Sequence, residues 1–204
     1  MFKTFVKQQQ VLLLKLLIHG LSLYFLVSTF YLAVIDQLGG DPVEALLHFT
    51  GMGALNLLLL TLLVSPVAKH FKWAKVMQVR RLLGLYGFFY ALVHVTSFLA
   101  FEVQFDWPLF VEEIIKRPYI TVGMTAFAIL IALAITSISR IRRRMGKSWQ
   151  TLHNYSYVAL LLAGVHFYWS VKSDIVEPLI YLVVSIVILA LRKDKIKRWL
   201  VANN

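Results

Sequence analysis

The 204-residue chain contains no cysteine. It therefore cannot form disulfides, use thiol redox chemistry or hold an iron–sulfur cluster on thiolates. It also lacks the glycine fingerprint of a dinucleotide-binding domain and the P-loop of a nucleotide-binding domain. The segments between its apolar stretches are too short to fold as a separate soluble domain. The chain thus has no nicotinamide-binding domain of its own, and any electrons that it handles come from another molecule.

Acidic residues are also few, with ten against 21 lysines and arginines, and the net charge is +11. The hydrophobic fraction of 59% and the mean hydropathy of +0.73 are too high for a soluble domain of this size. A helix needs about 20 apolar residues to cross roughly 30 Å of hydrocarbon. The sequence predicts an all-α, six-helix transmembrane bundle that forms a single domain over residues 1–204. The predicted helices cover residues 11–35, 45–67, 82–101, 119–139, 152–170 and 178–191.

The basic residues are concentrated on one side of these predicted helices. The N-terminal segment, the second and fourth loops and the C-terminal segment hold 18 of the 21 basic residues and one acid. The opposite side holds Lys116, Arg117 and Lys172 with the other nine acids. Positive loops stay cytoplasmic. This distribution opposes a nucleic-acid partner and predicts that both termini are cytoplasmic, with helices one, three and five running outward.

Three histidines lie within or at the edge of the predicted spans, namely His94, His153 and His166. Ionisable side chains are costly in lipid-spanning helices and usually mark a functional site. Imidazole is the common axial ligand of haem iron. The pattern therefore indicates a membrane haem protein that transfers electrons.

His94 and His166 are expected at similar depth, because they lie about 12 and about 14 residues into two outward-running helices. Two such imidazoles can hold one haem b between them, and filling both axial sites favours electron transfer. Gly87 lies seven residues before His94 on the same helical face and would let the macrocycle approach. The alternative for Gly87 is ordinary small-residue packing between membrane helices.

His153 is predicted about 20 Å from His166 along an uninterrupted helix. At that level the third helix offers Arg80 and Arg81, which cannot ligate iron. His153 could ligate a second haem with an unusual partner, contact another cofactor, or cap the start of the fifth helix. Arg80 and Arg81 are candidates for binding haem propionates or a flavin phosphate, although the positive-inside rule also accounts for them.

The remaining histidines are weaker candidates. His19 is expected to be satisfied inside the bundle, and His70 to be solvated in a basic loop. His48 could serve a quinol site, donate to a propionate or have a structural role. The chain is expected to have no internal repeat.

The longest predicted outer loop covers residues 102–118 and contains an amphipathic pattern. Within 108–116, apolar side chains alternate with Glu112, Glu113 and Lys116 at a spacing typical of a short helix in the membrane interface. The alternative is a plain connector. Such a helix on an acidic outer surface would be a landing site for an electron acceptor.

Several motifs are together similar to a known family. They are Asp41-Pro42, His48-Phe49-Thr50-Gly51, Arg80-Arg81-Leu82-Leu83-Gly84-Leu85 leading to His94, Arg117-Pro118-Tyr119, Gly146-Lys147, Trp149-Gln150, Leu152-His153-Asn154 and His166 through Lys172. They cover nearly the entire chain. On these residues the protein resembles the haem-binding membrane subunits of bacterial methionine sulfoxide reductase systems, within the ferric reductase-like transmembrane superfamily.

This resemblance implies a b-type cytochrome of the bacterial inner membrane, in which His94, His153 and His166 bind cofactors. It implies haem b, with a second haem left open, and a bound FMN. Electrons would come from the quinol pool or a cytosolic flavin reductase and pass to a periplasmic MsrP-like molybdopterin reductase, which repairs oxidised methionine. Catalysis proper would lie in that partner. The alternatives are a terminal reductase of extracellular metal or oxygen, and a non-redox transporter or scaffold.

Overall fold

The computed structural model describes residues 2–171 and 174–201, with side chains from residue 8 onward. Within these ranges the chain is helical and contains no strand, as predicted. Lys172, which was assigned to the outer side, lies outside the described residues. The chain divides into two compact units, Met1–Asp106 and Trp107–Asn204.

The first unit is built on three long helices. Its elements are α1 (Phe2–Val34), α2 (Pro42–His70), a 3₁₀ helix (Ala74–Val79), α3 (Arg80–Ser97) and a π-helical turn (Phe98–Glu102). Helix α2 begins where Asp41 accepts hydrogen bonds from the backbone N–H groups of Val43 and Glu44, at 3.0 and 2.9 Å. Pro42 follows at the first helical position, where its missing N–H costs nothing.

Helices α2 and α3 pack closely against each other in this unit. A Cβ built on Gly87 would lie 3.5 Å from Leu57 Cβ and 3.6 Å from the Ala54 carbonyl oxygen, both on α2. These are ordinary contact distances, so Gly87 faces α2, as in the packing alternative, and not an open pocket. Near the basic end, a buried cluster joins the three helices and the 3₁₀ helix. It comprises Val11, Val64, Ala68, Val76, Val79 and Leu83.

The second unit contains shorter helices. Its elements are α4 (Trp107–Lys116), α5 (Pro118–Thr136), α6 (Ser139–Met145), α7 (Lys147–Asn154), α8 (Ser156–Ser170), α9 (Val176–Ala190) and α10 (Lys193–Val201). Helix α5 packs along α8, and α8 along α9. The amphipathic segment expected in the long loop is indeed a helix, α4; its position in the membrane interface stays a prediction.

In the part of the chain that the structure describes, four helical stretches are long and apolar enough to cross a membrane. They are Gln8–Val34, Pro42–His70, Ala74–Glu102 and Pro118–Thr136. The predicted helix over 152–170 is wrong as a single helix, because the chain turns at Tyr155 between α7 and α8. Helices α8 and α9 have 15 residues each, or about 22 Å of helix. The count of six spans and the cytoplasmic location of the termini stay predictions.

Candidate functional site

His94 projects from α3 onto the first half of α2. Its Nδ1–H donates to the Leu47 carbonyl oxygen at 3.0 Å. The Thr50 hydroxyl lies 3.3 Å from the same nitrogen. The Thr50 hydroxyl donates to the Leu46 carbonyl oxygen at 2.7 Å. The Leu47 carbonyl oxygen can only accept, so the imidazole is the donor in its bond to Leu47. The ring is thus held by α2 in a defined orientation.

Gly51 makes this approach possible. A Cβ built on Gly51 would lie 3.2 Å from both Cε1 and Nδ1 of His94. Such a distance is tighter than ordinary van der Waals contact, so a side chain at this position would push the imidazole away by a few tenths of an ångström. Gly51 also lies one turn after Leu47, so the missing side chain exposes the Leu47 carbonyl to a second donor.

His166 has the same environment inside the second unit. It projects from α8, and its Nδ1–H donates to the Tyr119 carbonyl oxygen on α5 at 2.7 Å. A Cβ built on Gly123 would lie 2.7 Å from Nδ1 and 2.9 Å from Cε1 of His166. The Tyr119 ring stacks on the imidazole with centroids 6.0 Å apart and an interplanar angle of 29°.

These two arrangements repeat at a constant offset of 72 residues along the chain. Leu47, Gly51 and His94 correspond to Tyr119, Gly123 and His166. The flanking residues also match at this offset. Gly51-Met52-Gly53-Ala54 parallels Gly123-Met124-Thr125-Ala126, and Ala91-Leu92-Val93-His94 parallels Ala163-Gly164-Val165-His166. The expectation of a chain without an internal repeat is therefore wrong.

The shared hydrogen bond fixes the chemistry of both rings. A carbonyl oxygen only accepts, so Nδ1 carries the proton in His94 and in His166. In the neutral imidazole the lone pair then lies on Nε2. A metal-ligating histidine typically donates its other ring N–H to a carbonyl in this way, which orients the ring and raises its basicity. Both residues are therefore prepared to ligate a metal through Nε2.

His153 is held differently, on the short helix α7. Its Nε2 lies 3.1 Å from the Thr136 hydroxyl at the end of α5. Thr136 donates its single proton to the Ala132 carbonyl at 2.6 Å, so the hydroxyl accepts from His153 Nε2–H. The imidazole also stacks on Trp149, with centroids 3.9 Å apart. His153 thus carries its proton on the nitrogen that is unprotonated in His94 and His166.

The Trp149 ring contacts both the His153 imidazole and the Arg142 guanidinium near the C-terminal end of α5. Its Nε1–H donates to the Thr136 carbonyl at 3.0 Å, and the Arg142 guanidinium carbon lies 4.6 Å from the indole centroid. Thr136 is the last residue of α5, where carbonyl groups lack helical partners. Trp149 and His153 therefore dock α7 onto the C-terminal end of α5. The helix is interrupted at Tyr155, so the distance of about 20 Å predicted between His153 and His166 for one straight helix does not apply.

The other candidates are spread through the first unit. Arg80 and Arg81 form the first turn of α3, and Arg81 is exposed. His48 is exposed on α2, and His70 is exposed at its end with its ring edge-on to Phe71. His19 is bonded to Tyr86, as expected of a satisfied histidine, although its ring is exposed. Sequence reasoning missed Gly51 and Gly123, which the 72-residue offset could have revealed.

Comparison with known proteins agrees with this architecture. Residues 49–164 match the model of the family described as ferric reductase like transmembrane component. That match covers α3, α5 and most of α2 and α8, and so contains His94 and His153.

Similar proteins extend the match over nearly the whole chain. The protein-methionine-sulfoxide reductase heme-binding subunit MsrQ of Klebsiella pneumoniae (strain 342) is 40% identical over 192 residues, which cover 94% of this chain and 96% of that protein. The protein of the same name from Salmonella arizonae is 41% identical over 192 residues, with the same coverage. The chain therefore belongs to the MsrQ family of ferric reductase-like transmembrane components, which confirms the resemblance found in its motifs.

Proposed function

We propose that this protein is a b-type cytochrome of the bacterial inner membrane in which His94 and His166 are the two axial ligands of one haem b. The observation that carries the proposal is the repeated arrangement of imidazole, carbonyl and glycine. Two unrelated structural histidines would not be expected to share one tautomer, one kind of partner and one spacing. The heme-binding description of the relatives supports the same assignment.

The described residues fit an axial haem ligand in each unit. The carbonyls of Leu47 and Tyr119 hold the Nδ1 protons, and Gly51 and Gly123 leave room for the rings. When bound, haem supplies reversible one-electron transfer, and bis-histidine ligation favours that role. The chain's contribution is to orient both imidazoles and to keep Nε2 unprotonated.

In this proposal His153 does not pair with His94. Its Nε2–H bond to Thr136 and its stacking on Trp149 support an anchoring role at the basic end of the second unit. A second haem would require His153 to leave Thr136 or to ligate through Nδ1. FMN remains the second proposed cofactor, with Arg80 and Arg81 at the start of α3 pairing with its phosphate. The nearby lysines Lys69, Lys72 and Lys75 of the first unit and the family resemblance support it.

We further propose that the chain relays electrons outward, from quinol or a cytosolic flavin reductase to a periplasmic MsrP-like methionine sulfoxide reductase. The termini would be cytoplasmic. The basic charge of the terminal segments supports this direction, and the name of the relatives supports this acceptor. Helix α4 is the proposed landing site, because it exposes Trp107, Val111 and Ile115 on one stripe.

The test is reoxidation of the reduced protein in proteoliposomes. Purified periplasmic methionine sulfoxide reductase with methionine sulfoxide should reoxidise the haem faster than equal concentrations of ferric chelate or oxygen. Faster reoxidation by ferric chelate or oxygen would replace this proposal with the terminal-reductase alternative. A protein without haem absorbance would support the transporter or scaffold alternative.

A further inference from the structure

A pair of polar side chains joins α1 to α3 within the apolar part of the first unit. His19 Nδ1 lies 2.6 Å from the Tyr86 hydroxyl, and the two rings meet edge to face at 5.3 Å. One turn further on, the Tyr90 hydroxyl donates to the Ser22 carbonyl at 2.6 Å. Tyr86 and Tyr90 are buried, at 9% and 3% exposure, whereas the His19 ring is exposed.

The second ring nitrogen of His19 is the unusual feature. Within the described residues, Nδ1 is the only ring nitrogen of His19 with a side-chain hydrogen-bond partner. His19 lies 11 residues from one end of the span Gln8–Val34, or about 17 Å of helix, and about 22 Å from the other end. Polar atoms at such depth are costly without a partner. Phospholipid headgroups stay at the surface, so a partner for Nε2 at this depth would be a polar group that dissolves in the hydrocarbon.

The hydrogen bond between His19 and Tyr86 can run in either direction, and its direction decides whether Nε2 is a donor or an acceptor. When the Tyr86 hydroxyl donates to Nδ1, Nε2 carries the proton and can donate. When Nδ1–H donates to the Tyr86 oxygen, Nε2 holds the lone pair and can accept. Nε2 can therefore donate to a carbonyl oxygen of a ligand or accept from a hydroxyl group of a ligand. A quinone carries carbonyl oxygens where its quinol carries hydroxyl groups, so the same pair can bind both forms.

The surface beside His19 has room for such a molecule. Gly20 is exposed, and a Cβ built on it would meet nothing within 4 Å. One turn beyond His19, a shallow apolar trough of about 450 Å³ runs along α1. It is lined by Leu23, Tyr24, Val27, Ser28 and Tyr31. A molecule with a polar ring and an apolar tail could bond to His19 Nε2 through its ring and fill the trough with its tail.

We propose that His19 and Tyr86 bind the ring of a lipid-soluble quinol or quinone, with its tail in this trough. The inference rests on the proposed function, of which quinol is one possible donor. Oxidation of a quinol removes two electrons and two protons. A haem held by the chain would accept the electrons one at a time. His19 Nε2 would accept one proton with each electron and release it to the aqueous phase before it accepts the next. Tyr86 lies eight residues before His94 on α3, about 12 Å along the axis.

The test compares two single variants of the holoprotein in phosphatidylcholine vesicles. His19→Asn places an amide where Nδ1 was, so it can keep the bond to Tyr86 while it removes Nε2. Tyr90→Phe breaks the neighbouring bond between α1 and α3 without touching His19. The dissociation constant for decylubiquinone, measured by quenching of tryptophan fluorescence, should rise about tenfold in His19→Asn, as expected for one lost hydrogen bond. It should change less than about twofold in Tyr90→Phe.

Reduction of the haem gives a second readout. Decylubiquinol should reduce His19→Asn more slowly than the wild type, while dithionite reduces both fully. Unchanged binding in His19→Asn, or an equal loss in both variants, would overturn the site. His19→Gln, which returns an amide near the Nε2 position, should recover binding, and a loss equal to that of His19→Asn would also overturn it. Quinone binding by a protein that holds no haem would refute the proposed function and leave this site standing.

Discussion

Replacing Gly123 by alanine should release haem without unfolding the protein. The new Cβ would lie 2.7 Å from His166 Nδ1, well inside contact distance, so the imidazole must move away from α5. That movement weakens the 2.7 Å bond from Nδ1 to the Tyr119 carbonyl. Crowding of this kind costs about 1–3 kcal/mol, and the lost hydrogen bond costs about 1 kcal/mol. Loss of an orienting partner typically weakens metal binding about 10–100-fold.

The matching change in the first unit should have a smaller effect. In Gly51→Ala the new Cβ would lie 3.2 Å from the His94 ring, a distance that a small shift relieves. We therefore expect a loss of affinity below about tenfold. Gly84→Ala on α3 is the control, because its Cβ would meet only Thr61 at an ordinary 3.5 Å. All three changes replace a helical glycine by alanine and share a gain in helix propensity of about 1 kcal/mol.

The assay is the haem content per protein and the temperature at which the haem absorbance is lost, measured beside helix content by circular dichroism. The expected order of haem loss is Gly123→Ala, then Gly51→Ala, then Gly84→Ala and the wild type together. Wild-type haem retention in Gly123→Ala would refute the role of the glycine. Equal loss in Gly84→Ala would show that any added side chain in these helices has the same effect.

Further predictions concern the anchor on α7 and the helix α4. His153→Ala should retain the low-spin haem spectrum, and Thr136→Val should lower thermal stability by about 1 kcal/mol with haem content unchanged; loss of the spectrum in His153→Ala would reverse the assignment. Neutralising Glu112 and Glu113 should slow electron delivery to the periplasmic reductase, with less effect at high salt; an unchanged rate would place docking elsewhere. The hydrogen bond from Lys116 to Glu112 raises the pKa of Lys116 from its ordinary value, so the contribution of Lys116 to the ion pair is lost as the pH rises through the raised pKa. Glu112→Gln should lower the pKa of Lys116 in an NMR titration, and an unchanged value would exclude the pair.

Hydropathy was sufficient to predict the helical class, because a long apolar segment in lipid must satisfy its own backbone hydrogen bonds, and a helix does so. The second helix was predicted over residues 45–67, but α2 begins three residues earlier, because Asp41 caps it and Pro42 takes its first position. The break at Tyr155 could not be predicted, since neither glycine nor proline marks it. The residues before it, Trp149 and His153, contact Thr136 on another helix, and a tertiary contact of this kind leaves no local sequence signal.

The candidate site was predictable in its histidines and not in its supporting residues. Depth along the sequence selected His94 and His166, and the cost of ionisable groups in lipid justified that choice. Gly51 and Gly123 were missed because a glycine matters here only through the ring that it admits from another helix. Gly87 was assigned to the pocket on helical periodicity, but its face meets α2.

The central claim is that His94 and His166, and not His153, hold the haem. Haem should therefore be quantified, with its absorbance spectrum, in membrane-inserted His94→Ala, His166→Ala and His153→Ala beside the wild type. The account predicts that the split α/β absorbance of a bis-histidine haem b is lost in the first two variants and kept in the third. Its retention in both His94→Ala and His166→Ala, or its loss in His153→Ala alone, would contradict the account.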